Sequence, residues 1–263
     1  MNEMSSNDIE QEIRRLVNEL AEELAGKYNL RYRLPAPVAF ASTDDPLWDK
    51  IKEIHPWLSH PKELLPNARS VITYAIPLSW EAILSNVGGF DPSREWLRDY
   101  AYANRVIGKI SERVAGWLGE KGFKSIGLKA THDFDQKTLK SSWSHRHAGY
   151  VAGLGTFGLN RLLITEKGVA VRLGSILTEA KLRPTPRPNY EYCLAKRGRK
   201  CSKCLENCPI DALTNWEEKK DLCWHKQLLT SIEHKDLAEA FSYSVDACGK
   251  CAVGVPCTVE VPP

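Results

Sequence analysis

The sequence predicts an α/β (α+β) body followed by a smaller cysteine-dense module, and three observations carry that prediction. Amphipathic helices alternate with short β-branched segments through the N-terminal part of the chain. All eight cysteines fall after residue 192. The chain has 263 residues, 43% of them hydrophobic and 26% charged, which suits a globular protein with a sizeable core. The expected division is 1–182 for the body and 183–263 for the module.

The elements follow in order. Residues 7–25 form an amphipathic helix: Asn7 and Glu10 fit a capping box, Ile9, Ile13, Leu16, Val17, Leu20 and Leu24 make the apolar stripe, and Gly26 stops it. Strands are expected at 37–42 and 70–76, the second rich in β-branched residues. A long helix spans 93–118, ended by Gly119 and Gly122, and a strand follows at 124–130. A helical stretch to about Val151 leads into the loop "AGLGTFG", then strands at 161–165 and 170–178. No apolar run approaches the roughly 20 residues of a membrane span. The N-terminal stretch has neither the basic region nor the apolar core of a secretory signal, so a cytoplasmic protein without a membrane partner is expected.

The net charge of +3 does not by itself argue for a nucleic-acid partner. Residues 181–200 are different: seven Lys/Arg stand against Glu191 in a proline-rich segment. They read either as a solvated linker or as a docking face for an acidic electron donor or RNA phosphate.

In a reducing compartment, clustered cysteines point to metal or redox chemistry before disulfides. Cys201, Cys204 and Cys208, followed by Pro209, resemble a ferredoxin run that lacks one member. In two-cluster ferredoxins the cysteine before the proline serves the other cluster. Applied here, that rule groups Cys193, Cys201, Cys204 and Cys257 into one set, and Cys208, Cys223, Cys248 and Cys251 into another. Each set has the four thiolates that a [4Fe–4S] cluster needs. A pair of four-cysteine zinc sites is the alternative, weakened by the proline and the helix start that follow Cys208.

"GLGTFG" (153–158) matches the letters of a dinucleotide fingerprint, but a helix is expected before it and a strand after it. That is the reverse of the strand–loop–helix order the phosphate site requires, so a Rossmann site is rejected. His145 and His147 stand two apart, on different faces of a helix, and are candidate proton donors or substrate contacts. Asp133 and Asp135 fall at the C-terminal end of an expected strand, where ligand sites of open sheets gather. For each of these, an ordinary surface or hydrogen-bonding role is the alternative.

The segments "HPKELLPNARSVITYAIPL", "AGLGTFGLNRLLIT", "VRLGSILTEAKL" and "CSKCLENCPIDAL", in this order over residues 30–257, resemble the epoxyqueuosine reductase family, which shares its core with the reductive dehalogenases. The resemblance implies a nitroreductase-like body that binds cobalamin and a ferredoxin-like module with two [4Fe–4S] clusters. It implies that electrons pass from an external acidic donor of ferredoxin or flavodoxin type, through the clusters, to the cobalt and a small or nucleoside-type substrate. Gly153, Leu154, Gly155, Gly158 and Asn160 would then line the corrin pocket, and Asp133 or Asp135 would stand in for the family's acid. The chain looks like a short form without the helical-repeat region that helps hold tRNA, so tRNA is a less favoured partner. An electron carrier or reductive activator of a partner protein, without a substrate of its own, is the competing expectation.

Overall fold

The computed structural model describes residues 5–130, 134–214 and 217–263. In chain order its elements are α1 (Ser6–Lys27), β1 (Val38–Ser42), α2 (Leu47–Ile54), α3 (Pro61–Leu64), β2 (Ser70–Pro77), α4 (Trp80–Ser85), α5 (Arg94–Glu120), β3 (Ser125–Gly127), α6 (His145–Val151), β4 (Gly155–Phe157), β5 (Leu163–Thr165), β6 (Val171–Thr178), α7 (Lys203–Glu206), α8 (Lys220–Glu233) and α9 (Lys235–Phe241). The main sheet runs β1-β2-β6-β3, and β4 pairs with β5 in a separate hairpin. Every one of these pairings is antiparallel, so the body is α+β and contains no parallel βαβ unit among the described residues.

β2 shows why the sheet sits between two layers. All eight of its residues are buried. Ile72, Tyr74 and Ile76 join one apolar cluster with α1 and α5, whereas the alternate residues Val71 and Ala75 join a second with Trp48 and α6. Side chains of period two face opposite layers, as a doubly covered strand requires. Tyr74 donates its hydroxyl to the Ile107 carbonyl at 2.8 Å and shares a 2.8 Å hydrogen bond with Ser111, which pins α5 to the sheet.

Several expectations shift in detail. α1 is capped two residues earlier than the Asn7–Glu10 pair implies: Ser5 and Asp8 form the reciprocal box. Glu10 is occupied elsewhere, accepting from the backbone N–H of Arg183 at 2.7 Å and so tying the basic segment to the body. The strand expected at 124–130 is cut to three residues. Residues 181–192 carry no helix or strand, yet Thr185 donates to the Phe40 carbonyl at 2.9 Å and takes the Phe40 N–H on its hydroxyl at 3.1 Å. The segment therefore covers the outer edge of β1, an edge that would otherwise offer unpaired groups.

Body and module share one core. Leu237, Val245, Ala247, Ala252, Val253 and Val255 are buried in the same cluster as the apolar faces of α1 and α5. Asn86 and Asn160 reinforce the join by donating to the carbonyls of Cys248 (3.0 Å) and Cys251 (2.9 Å). Among the described residues, no helix is long and apolar enough to cross a membrane.

Candidate functional site

The structure seats the eight cysteines in two places. Cys193, Cys201, Cys204 and Cys257 line one small pocket, with Gly158, Asn160 and Val255 beside them. Cys208, Cys223, Cys248 and Cys251 line a separate cavity of about 500 Å³ between the module and the sheet. Local geometry separates Cys204 from Cys208. Cys204 lies inside α7, which ends at Glu206, and Cys208 follows in the turn that Pro209 opens. Cys223 comes from the first turn of α8, Cys248 precedes a 3-10 turn at Lys250–Ala252, and Cys251 lies within that turn.

All eight thiols are free. Burial pushes Cys204 up to about 11, with Cys193 and Cys201 adding to the effect. Cys257 goes up to about 12 through burial and then through Cys204 and Cys193. In the other set, burial lifts Cys223 to about 11 and Cys251 well above the ordinary thiol range, with Cys223, Cys248, Cys204 and Cys208 as further contributors to Cys251. Four thiols, buried or half-buried, that repel one another as thiolates suit a site whose occupant brings positive charge. Backbone and amide donors already point at the sulfurs: Ala212 N–H reaches Cys208 Sγ and Gln227 Nε2 reaches Cys223 Sγ, both at 3.3 Å. Among the described residues no three His, Cys, Asp or Glu side chains converge at single-ion spacing.

Across the cavity from the second quartet stand the start of β6 and the N-terminal turn of α6. His145 lines this wall, its Nε2 2.6 Å from the Lys129 carbonyl and its Nδ1 2.8 Å from the Ser175 hydroxyl. A carbonyl only accepts, so Nε2 carries a proton. Arg172 is held by two bonds to Asn104 Oδ1, at 3.0 and 2.9 Å, and lies 4.5 Å from the Tyr100 ring centroid. With Lys129, Arg146, Lys226 and Lys250, it gives the lining five cationic side chains against Asp246 and Glu218. Trp96 also lines the cavity, its Nε1–H buried without a partner. Its ring lies so close to Gly249 that a Cβ there would fall 2.1 Å from it.

His147 is turned away from this cavity, beneath Trp48, Leu58 and Trp143, with its ring 5.1 Å from that of His55. Burial first, and then the charge of His55, push it down to about 4. The native state thus excludes a proton that the unfolded chain takes up near its ordinary value of 6.5. The stability this confers is complete above that value and drains away as pH falls towards the folded one. Urea unfolding should show a loss of about 2 kcal/mol attributable to this ring between pH 7 and pH 5. His147→Gln should flatten that dependence; an unchanged dependence would contradict the assignment.

Asp133 lies outside the described residues. Asp135 is exposed, does not line the cavity, and accepts from Lys137 N, Thr138 N and Thr138 Oγ1 at 3.0, 2.7 and 2.9 Å. Those donors, Thr138 foremost, hold its carboxyl below the usual range. α6 precedes the glycine segment 153–158, Gly155–Phe157 within it forms β4, and β5 follows; a helix before and a strand after is the order expected from the sequence. Gly153, Leu154 and Gly155 face other protein atoms rather than the large cavity: Leu154 lies in the sheet's second apolar cluster, and the Gly155 backbone abuts Ile164. Gly158 lies at the first cysteine pocket, and Asn160 borders both pockets.

No protein-family profile and no curated protein matches the chain. Solved structures do. Epoxyqueuosine reductase from Streptococcus thermophilus superposes with a TM-score of 0.53 at 17% identity, covering 92% of this chain and 67% of that one. The Bacillus subtilis enzyme gives 0.54 at 18% identity, over 94% and 67%. A catabolic reductive dehalogenase, solved with 3-bromo-4-hydroxybenzoic acid, gives 0.54 at 14% identity over 83% of this chain and 33% of its own. The chain has the fold shared by epoxyqueuosine reductases and reductive dehalogenases.

Within that fold, sequence reasoning missed Arg172, Trp96, Lys226 and Lys250 as cavity residues. Arg172 left one signal, a cation inside an otherwise uncharged β-strand. The two lysines left none, because their significance lies in burial.

Proposed function

We propose that the chain is an iron–sulfur oxidoreductase in which each cysteine quartet holds one [4Fe–4S] cluster and the cavity holds a further cofactor, of cobalamin type, together with a small or nucleoside-type substrate. One observation carries this reading: the second quartet and His145 line the same cavity of about 500 Å³. That volume is in the range of pockets for drug-sized ligands, about 300–1,000 Å³. The partnerless Trp96 N–H fits a cavity whose occupant brings a hydrogen-bond acceptor. Bound there, cobalamin would supply a low-potential metal centre for reduction.

The protein's own residues then divide the work. Exposed Lys200 and Lys203 adjoin Cys201 and Cys204 of the first quartet in sequence, suited to an acidic external donor. Asn160, bonded to the Cys251 carbonyl and bordering both pockets, fixes the two sites relative to each other. His145 holds a proton at Nε2 on the cavity wall, and Lys129, Arg146 and Arg172 make that wall attractive to anionic groups. A body serving only as a docking domain for a partner has no use for such a cavity, which favours the enzyme over the carrier.

Titrating the anaerobically reconstituted protein with cobalamin tests the assignment. A saturable change in corrin absorption is expected, absent when Arg or Lys side chains are left intact but the cavity is filled by Leu173→Trp. A protein with full iron content and no corrin response contradicts it.

A further inference from the structure

Two lysines are buried where lysine is seldom left. Lys226 of α8 is 3% exposed and Lys250, between Cys248 and Cys251, is 4% exposed. An ammonium withdrawn from water is unfavourable unless its surroundings compensate it. Lys226 forms an ion pair with Asp91 and lies 4.2 Å from the Phe90 ring centroid. Lys250 donates to two carbonyls, Asn86 O at 3.1 Å and Gly88 O at 2.6 Å. Carbonyl partners bring no counter-charge. Both lysines border the cavity with Cys208, Cys223, Cys248 and Cys251.

The first quartet has a different electrostatic setting. Lys203, next to Cys204, has a side chain 58% exposed and is paired with Glu206 at 2.7 Å. Lys196 is 3.9 Å from Glu191. Exposed charges are screened by water and salt, whereas buried ones act at close to full strength.

We propose that Lys226 and Lys250 raise the electron affinity of the cluster held by the second quartet above that of the first, and so direct electrons towards the cavity. The inference rests on the cluster reading above. Reduction adds one negative charge to a cluster, and a buried cation stabilises the reduced form, since net charge and nearby donors set the potential of such centres. One electron leaves the reduced first cluster, which is oxidised, and enters the second, which is reduced. The external acidic donor replaces it, and no proton moves.

An EPR-monitored redox titration of the anaerobically reconstituted full chain tests this. Two one-electron waves are expected, the higher being the one that disappears in Cys208→Ser. Lys226→Met should lower that wave by a factor of ten or more in the reduction equilibrium, about 59 mV for a one-electron couple, and leave the other in place. Lys226→Arg should restore it. Asp91→Asn removes the counter-charge at a side chain that is 54% exposed, where folding is not at stake, and should move the same wave upwards. Waves that stay put, or that move together, overturn the proposal while leaving the cluster reading intact. A chain that takes up no iron and sulfide overturns both.

Discussion

Cys204→Ser and Cys208→Ser are expected to remove different clusters, although the two residues are four apart in sequence. Each variant should retain about four of about eight irons, the complement of a single [4Fe–4S] centre. The surviving EPR signal should differ between them. Cys204 shares its pocket with Cys193, Cys201 and Cys257, and Cys208 lines the cavity with Cys223, Cys248 and Cys251. Cys257→Ser should therefore reproduce the Cys204 variant, and Cys251→Ser the Cys208 variant. Electron delivery to the cavity should be lost in all four, because the chain of centres is broken at one end or the other. If the Cys204 and Cys208 variants lose the same signal, the grouping is wrong.

Gly155→Ala is expected to destabilise the fold by about 3 kcal/mol, the upper end of what overpacking does to a well-packed interior. A Cβ at this position would lie 1.9 Å from the Ile164 carbonyl oxygen and 3.1 Å from the Thr165 Cα. Both are backbone atoms of β5, paired with β4 at Gly155↔Thr165, and neither can step aside without opening the hairpin. The urea midpoint should fall while the denaturant dependence keeps its slope. A midpoint unchanged from wild type, together with a weakened corrin response, would instead mean that the loop serves the cofactor.

How legible the molecule is from its residues depends on the range of the interaction involved. Long periodic segments such as α1, α5 and β2 are readable because their apolar spacing reports a buried face directly. The expected grouping of the cysteines rests on a related kind of signal: short spacings and a following proline restrict where a thiol points. The cap of α1 is misread because Ser5–Asp8 and Asn7–Glu10 fit the same pattern, and only the contact between Glu10 and Arg183, far apart in sequence, separates them. The glycine loop is misleading in a similar way. Gly153 and Gly155 look like residues that let a ligand approach, and the structure shows that what approaches is Pro186 and Ile164 of the same chain. The cavity itself is illegible, since it arises where α5, the start of β6 and the 246–252 segment meet. Arg172 and Lys250 acquire their setting only there.

Whether the two quartets hold iron–sulfur clusters is tested most directly by metal and sulfide analysis of the anaerobically purified and reconstituted chain, read with its EPR spectrum after reduction. Two [4Fe–4S] centres predict about eight irons and about eight sulfides per chain, with two reducible signals. About two zinc ions per chain, no acid-labile sulfide and no signal on reduction would contradict it.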